Sequence, residues 1–149
     1  MTTKRELLQA EGEGWNELHG LIDSLTPQQM EVPGYYSDWS AKDLEAHIGA
    51  WQAEAVQIFE QLRYDTYRKA DLDVDAMNQK FYEANHDLPV SVVHAEAWAA
   101  RIRLMTVFNE LNEVTHIAEE WFVESGPEHY AEHLPRFHEW VQALLGGAG

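Results

Sequence analysis

Apolar residues recur every three or four positions in four long stretches of the chain, and this pattern limits the fold more than any other feature. The most regular stretch follows Pro89 and carries Val93, Ala97, Ala100, Leu104, Val107, Leu111 and Val114. This spacing is typical of a helix that buries one face. No segment alternates polar and apolar residues with period two between turn signals, so the pattern predicts an all-α protein.

The other three stretches have recognisable starts or ends. The first runs from about Lys4 to Leu25 and is followed by Pro33 and Gly34, which do not continue a helix. Ser40 is suited to cap the second helix, which fades near Tyr67, and Pro127 is suited to the first position of the fourth. Four such helices bury their apolar faces most simply as a four-helix bundle. The chain is predicted to be a single domain over residues 1–149, a length that can bury a full core.

A long polar connector separates the second helix from the third. It reads RKADLDVDAMNQKFYEANHDLP and contains a possible short helix from Val74 to about Ala84. Because most connections between helices are much shorter, this segment is interpreted as a crossover or a lid.

Composition excludes several classes of protein. Ten basic residues against 26 acidic ones give a net charge of −16, which argues against binding to nucleic acid or to an anionic membrane. The absence of cysteine excludes disulfides, thiolate zinc sites and cysteine nucleophiles, so that any metal must be bound by His, Asp or Glu. The sequence has neither the apolar run of a signal peptide nor a stretch long enough to span a membrane, and we therefore expect a cytoplasmic protein.

Three histidines on apolar helix faces form a candidate metal site. His47 falls in the second turn of the second predicted helix, and His129 and His133 lie one turn apart near the start of the fourth. Side chains four residues apart on a helix can converge on one ion, and a third imidazole from another helix would leave a coordination position open. If all three lie near the N-terminal ends of their helices, the second and fourth helices should run in the same direction.

The alternative is that these are hydrogen-bonded core histidines, since chance alone produces such spacings among eight histidines. Pro135 adds a second open question, because a helix that starts there would leave the His129/His133 pair in a loop. His94 is a possible substitute ligand or a surface residue, and His19 and His116 are expected on helix flanks.

Three segments resemble the DinB/YfiT-like metalloenzyme superfamily, to which the N-terminal domain of mycothiol-dependent maleylpyruvate isomerase belongs. DWSAKDLEAHIGAWQ resembles the W-S-x-x-D-x-x-A-H-x-x-x-W stretch of that superfamily, MNQKFYEANHDLP resembles its connector, and EHYAEHLPRFHEWV is similar to its last helix. The resemblance implies a four-helix bundle with a divalent metal, often zinc or nickel, bound by His47, His129 and His133. It also implies that a proline after the last ligand is tolerated.

The same resemblance implies a metal-dependent enzyme that acts on a small molecule. Relatives include transferases and isomerases that use a low-molecular-weight thiol, and others are thought to be hydrolases. Arg101, Arg103 and Arg136 are the candidate partners for the carboxylates of such a thiol. The chain ends at LLGGAG without the additional domain of the isomerase, which argues against that particular activity.

Two other interpretations stay open. The chain could be a non-catalytic bundle that binds a small molecule among Tyr35, Tyr36, Trp39 and Trp51, or a bundle of the kind that sequesters toxins or confers antibiotic resistance. A homodimer is also expected, through Trp98, Met105 and Phe108 on the second face of the third helix.

Overall fold

The structure is a computed structural model that describes residues 2–146, and within this range it is helical with no strands. The all-α prediction is therefore confirmed. The helices are α1 (Lys4–Asp23), α2 (Pro27–Met30), α3 (Ala41–Arg63), α4 (Val74–Asn85), α5 (Val90–Glu110), α6 (His116–Ser125) and α7 (Pro127–Gly146). None of these helices combines the length and hydropathy that crossing a bilayer requires.

Side-chain caps fix where most of these helices begin. Ser40 caps α3 as predicted: its hydroxyl accepts from the Asp43 backbone N–H, and the Asp43 carboxylate accepts from the Ser40 backbone N–H. Thr26 and Gln29 form the same reciprocal arrangement around α2, a short helix that the sequence pattern did not predict. The predicted starts at Pro127 and near Val74 are both observed.

The predicted third helix is shorter than expected. The apolar repeat continues to Val114, but α5 ends at Glu110 and Leu111 is extended. Thr115 then caps a separate helix, α6, by accepting from the Ala118 backbone N–H. The repeat persisted across the break because Leu111 and Val114 still pack against the core.

Contacts between pairs of residues on neighbouring helices show the relative directions of those helices. Along α3, Glu45, Phe59 and Arg63 meet His94, Phe108 and Glu110 of α5 in the same order, so these two helices are parallel. The α4 connector is therefore a crossover between parallel neighbours. Likewise α1 and α7 are parallel, because Glu11 contacts Tyr130 and Glu17 contacts His138.

The expectation that the second and fourth predicted helices run in the same direction is wrong. From His47 to Gln52 on α3, the partners move backwards along the chain, from His133 to Tyr130 and Ser125. Thus α3 and α7 are antiparallel. His129 and His133 can still reach His47 because α7 begins opposite the middle of α3, while α6 covers the remaining half.

Two apolar clusters fill the interior, one toward each end of the helices. The first joins α1, α3 and α7 with Met30 and Tyr35, and the second joins α1, α3, α5 and α6. Phe108 belongs to the second cluster and is completely buried. The prediction that it lies on an exposed dimer face is therefore wrong. Met105 packs against the same cluster, whereas Trp98 is partly exposed.

A buried polar network lies between the two clusters. Glu11 is fully buried and receives two hydrogen bonds from Arg101, at 3.0 and 2.6 Å, and one from the Tyr130 hydroxyl at 2.7 Å. The Gln52 amide donates to the same hydroxyl at 2.6 Å. One carboxylate therefore connects α1, α3, α5 and α7.

The close approach of Tyr130 to α1 depends on Gly14, since a Cβ built there would lie 2.7 Å from Tyr130 Cδ2. We expect Gly14→Ala to lower the free energy of unfolding by about 1–3 kcal/mol, because the ring and its hydrogen bonds must shift. Gly20→Ala is the matched control: it lies on the same helix with nothing within 4 Å of its Cβ. It should raise stability by about 1 kcal/mol through helix propensity. Urea unfolding of both variants measures the difference, and equal effects would contradict the role assigned to Gly14.

Candidate metal centre

The structure brings His47, His129 and His133 together. His47 Nε2 lies 3.0 Å from His129 Nε2, and the His133 ring centroid is 5.3 Å from His47 and 4.9 Å from His129. One donor nitrogen from each residue lies within 4.8 Å of the others. His47 and His129 are 82 positions apart along the chain. Two distant helices thus contribute to one group that could hold a metal ion.

The question raised by Pro135 is resolved by the extent of α7. The helix runs from Pro127 through Pro135 to Gly146, so His129 and His133 occupy its first two turns rather than a loop. Proline removes one helical N–H at that point, but the residues on either side stay helical. Both imidazoles therefore project from the same face of α7, one turn apart.

Tyr35 orients the third histidine. Its hydroxyl lies 2.9 Å from His133 Nδ1 and donates to the His133 carbonyl oxygen at 3.5 Å. With Nδ1–H donating to the tyrosine oxygen, the lone pair of His133 Nε2 is free. Burial, and to a lesser extent the nearby Glu132, raises the pKa of Tyr35 to about 12 despite the opposing charge of Arg136, so the phenol stays protonated at neutral pH.

Burial keeps the three imidazoles neutral. Burial, together with the smaller effect of the neighbouring histidines, lowers the pKa of His47 to about 4 and that of His129 to about 3. The pKa of His133 is also lowered, mainly by burial. Neutral imidazole is the form that binds a metal. The electrostatics of this cluster therefore suit ligands rather than charged bases.

The donor set fits a divalent cation with a small adjustment. Two nitrogens bound to a tetrahedral Zn²⁺ at about 2.0–2.1 Å lie roughly 3.3 Å apart, close to the 3.0 Å between His47 and His129. In the protein alone this short contact is a hydrogen bond, in which one imidazole donates Nε2–H to the other. A cation bound by both Nε2 atoms would require the donating ring to carry its proton on Nδ1 instead. The Nδ1 atoms of both rings are buried without a hydrogen-bond partner among the described residues.

The cluster forms part of the wall of an open cavity of about 940 Å³ between α3, α6, α7 and the segment around residues 67–78. Its aromatic lining includes the four residues named above as a possible small-molecule pocket, together with two that were not anticipated: Tyr35, Tyr36, Trp39, Trp51, Tyr67 and Trp121. Its charged lining is mostly acidic and consists of Lys69, Asp75, Glu120, Glu124, Glu132 and Arg136. The acidic residues of α6 were missed because the sequence pattern gave no indication that this helix faces the histidines.

The three arginines considered as partners for the carboxylates of a thiol cofactor lie in different parts of the structure. Arg136 lines the cavity and its guanidinium carbon lies 5.0 Å from the Tyr36 ring centroid. Arg101 does not suit the binding of a thiol cofactor, because its guanidinium donates two hydrogen bonds to the buried Glu11 carboxylate. Arg103 is exposed and does not line this cavity.

The remaining histidines lie outside the cluster. His94 is not a substitute ligand here, since it pairs with Glu45 at 2.8 Å, and His19 is buried rather than on a flank. His86 and His138 pair with Asp43 and Glu17, whereas His116 is exposed at the rim of the cavity.

The lowered pKa values predict acid sensitivity of the metal-free protein. In the unfolded chain these imidazoles titrate near their ordinary pKa of 6.5, so below that pH the unfolded state binds more protons than the folded state. Stability should therefore be full above about pH 6.5 and fall progressively toward about pH 4. Each buried neutral histidine contributes up to ~1.4 kcal/mol per pH unit in that window.

Thermal unfolding between pH 4 and 8 in the presence of a chelator measures this dependence. His129→Gln should flatten the pH profile, whereas His116→Gln, which alters an exposed side chain, should leave it unchanged. A wild-type profile that does not change below pH 6.5 would contradict the assignment of neutral buried imidazoles.

Comparison with known proteins gives a fold but no family. No family model and no curated protein matches the chain. Among solved structures, the chain is similar to an uncharacterised protein from Escherichia coli UTI89, with a TM-score of 0.82 and 17% sequence identity over 95% of this chain and 94% of the other. At this identity the likeness shows that the two chains share an overall fold.

Proposed function

We propose that this protein is a metal-dependent enzyme of the DinB-like type, in which His47, His129 and His133 bind a divalent cation such as zinc or nickel and a small molecule occupies the adjoining cavity. The observation that supports it is the convergence of three neutral imidazoles on the wall of an open cavity. The proposal includes the architecture: α1, α3, α5 and the consecutive pair α6–α7 are the four helices of a bundle.

Each part of the cavity has a role in this proposal. A divalent metal, when bound, lowers the pKa of a water or thiol so that a nucleophile exists near neutral pH. Tyr35 holds His133 in the orientation that exposes Nε2. Trp39, whose ring centroid lies 5.0 Å from that of His47, and Trp51 provide an apolar wall for the substrate. Hydrolysis or transfer of a thiol to the substrate is the reaction class that this arrangement suits.

The charged residues that line the cavity restrict the class of substrate that it could bind. Lys69 and Arg136 are the cationic groups lining the cavity, and four carboxylates surround them. A substrate or thiol with several carboxylates would meet more repulsion than attraction here. We therefore propose a substrate that is largely aromatic or apolar, with at most one anionic group placed near Arg136.

A non-catalytic binding protein is the second candidate, and one observation favours it. Histidines that bind metals almost always donate their other ring N–H to a carboxylate, carbonyl or water. His133 has such a partner in Tyr35, but the Nδ1 atoms of His47 and His129 have none among the described residues. In this alternative the His47–His129 hydrogen bond shapes the pocket, and ligands bind without metal.

Metal binding separates the two candidates. We expect untagged protein to bind Zn²⁺ at the three-histidine centre, with His133→Gln weakening this binding at least 100-fold. Tyr35→Phe should weaken it about 10- to 100-fold because His133 loses its orienting partner. Isothermal titration measures each affinity, and His138→Gln on the same helix is the control. Unchanged Zn²⁺ affinity at this centre in His133→Gln would overturn the assignment.

Activity provides the second test. Hydrolysis of small aromatic esters and conjugation of aromatic electrophiles with thiols should be lost in chelator and restored by metal. Arg136→Gln should raise KM for substrates with a single carboxylate more than for neutral ones. An activity or ligand affinity that is the same with and without metal would instead support the binding protein.

A further inference from the structure

A second group of potential ligands lies on another side of α3. His19 of α1, Glu45 of α3 and His94 of α5 each offer a donor atom, and these atoms lie within 4.8 Å of one another. Glu45 and His47 are two residues apart on α3, so they point about 200° apart around the helix axis. The two groups therefore occupy different faces of α3.

Two of the three side chains in this group are buried. The side chain of Glu45 is 2% exposed and His19 is also buried, whereas the side chain of His94 is 39% exposed. His94 Nδ1 and Glu45 Oε2 are 2.8 Å apart, and the ring centroids of His19 and His94 are separated by 6.0 Å. The exposed edge of His94 gives solvent and small ions a path to the other two side chains.

Two buried polar atoms of this group have no partner. Glu45 Oε1 and His19 Nδ1 are both inaccessible to solvent and make no hydrogen bond within the described residues. Leaving such atoms unsatisfied is costly, particularly for a carboxylate. The described structure shows no lysine or arginine paired with Glu45, and its single polar contact is His94. A cation placed between the three side chains would satisfy the carboxylate and an imidazole nitrogen together.

Tryptophan rings pack against the His19 side of the site. The ring centroid of His19 lies 3.6 Å from that of Trp15 and 5.4 Å from that of Trp98. Apolar rings on this side of the site lower the local dielectric and strengthen the attraction between a carboxylate and a cation. Two imidazoles and one carboxylate form a donor set that Zn²⁺ accepts in proteins.

We propose that His19, Glu45 and His94 form a second site for a divalent cation of the Zn²⁺ type, distinct from the three-histidine centre. Its ligands come from α1, α3 and α5, so an ion bound there ties these three helices together. Its role is structural: it stabilises the folded state rather than presenting a nucleophile to the large cavity, whose lining does not include these residues. The site does not depend on the proposed function of the first centre.

The test uses untagged protein in which the first centre is disabled by His129→Gln and His133→Gln. Titration of this double variant with Zn²⁺ should show one equivalent, and saturating Zn²⁺ should raise the midpoint of thermal unfolding by several degrees. Adding Glu45→Gln, which preserves shape, or His94→Gln, which alters a partly exposed side chain, should weaken Zn²⁺ binding at least tenfold and remove the thermal shift. His116→Gln is the control, because it breaks an exposed His–Glu pair (His116–Glu120) and should change neither result.

Zn²⁺ binding at this second site can be distinguished from Zn²⁺ binding at the three-histidine centre. Without the His129 and His133 changes, Glu45→Gln and His94→Gln should remove one of two Zn²⁺ equivalents and leave the other at its original affinity. If Glu45→Gln does not fold, His94→Gln alone decides the question. The proposal is overturned if the double variant binds no Zn²⁺, or if its binding and thermal shift persist unchanged in His94→Gln.

Discussion

The fully buried carboxylate of Glu11 is the interaction on which the arrangement of the helices depends. Burial of a charge is tolerated only with close partners, and here Arg101 and Tyr130 supply three hydrogen bonds from α5 and α7. Apolar clusters above and below can pack in several registers, whereas this network is satisfied in one. It thereby fixes the position of α7 along α1, and His129, which precedes Tyr130, is fixed with it.

The break between α6 and α7 gives the candidate site its location. A continuous fourth helix would cover α3 along its whole length and close the cavity. Instead α6 forms part of the second apolar cluster, the chain turns at Gly126, and α7 starts opposite the middle of α3. Gly126 suits this turn because a Cβ there would lie 2.9 Å from the Phe122 carbonyl oxygen. The first turns of α7 thus become a wall of the cavity, and their histidines face His47.

The two histidine groups differ in what surrounds them, and this difference is the reason for proposing different roles. The three-histidine centre opens onto a large cavity with aromatic walls, in which the proposed substrate would lie. The group of His19, Glu45 and His94 packs against two tryptophans, and His94 is its one partly exposed member. Helix α3 contributes to both through residues two positions apart, so one helix connects a proposed catalytic centre with a proposed structural one.

Local rules were sufficient for most of the long helices and for part of the site. The N-cap at Ser40, the start at Pro127, the short helix in the connector and the one-turn spacing of His129 and His133 are all visible in the sequence, because each depends on residues within about four positions. The end of α5, the direction of α7, the partner of His133 and the pairing of His94 with Glu45 were decided only by tertiary structure. Each of these depends on which faces of distant helices meet, and that choice follows from the packing of the core and the pairing of the buried Glu11 rather than from any short stretch of the chain.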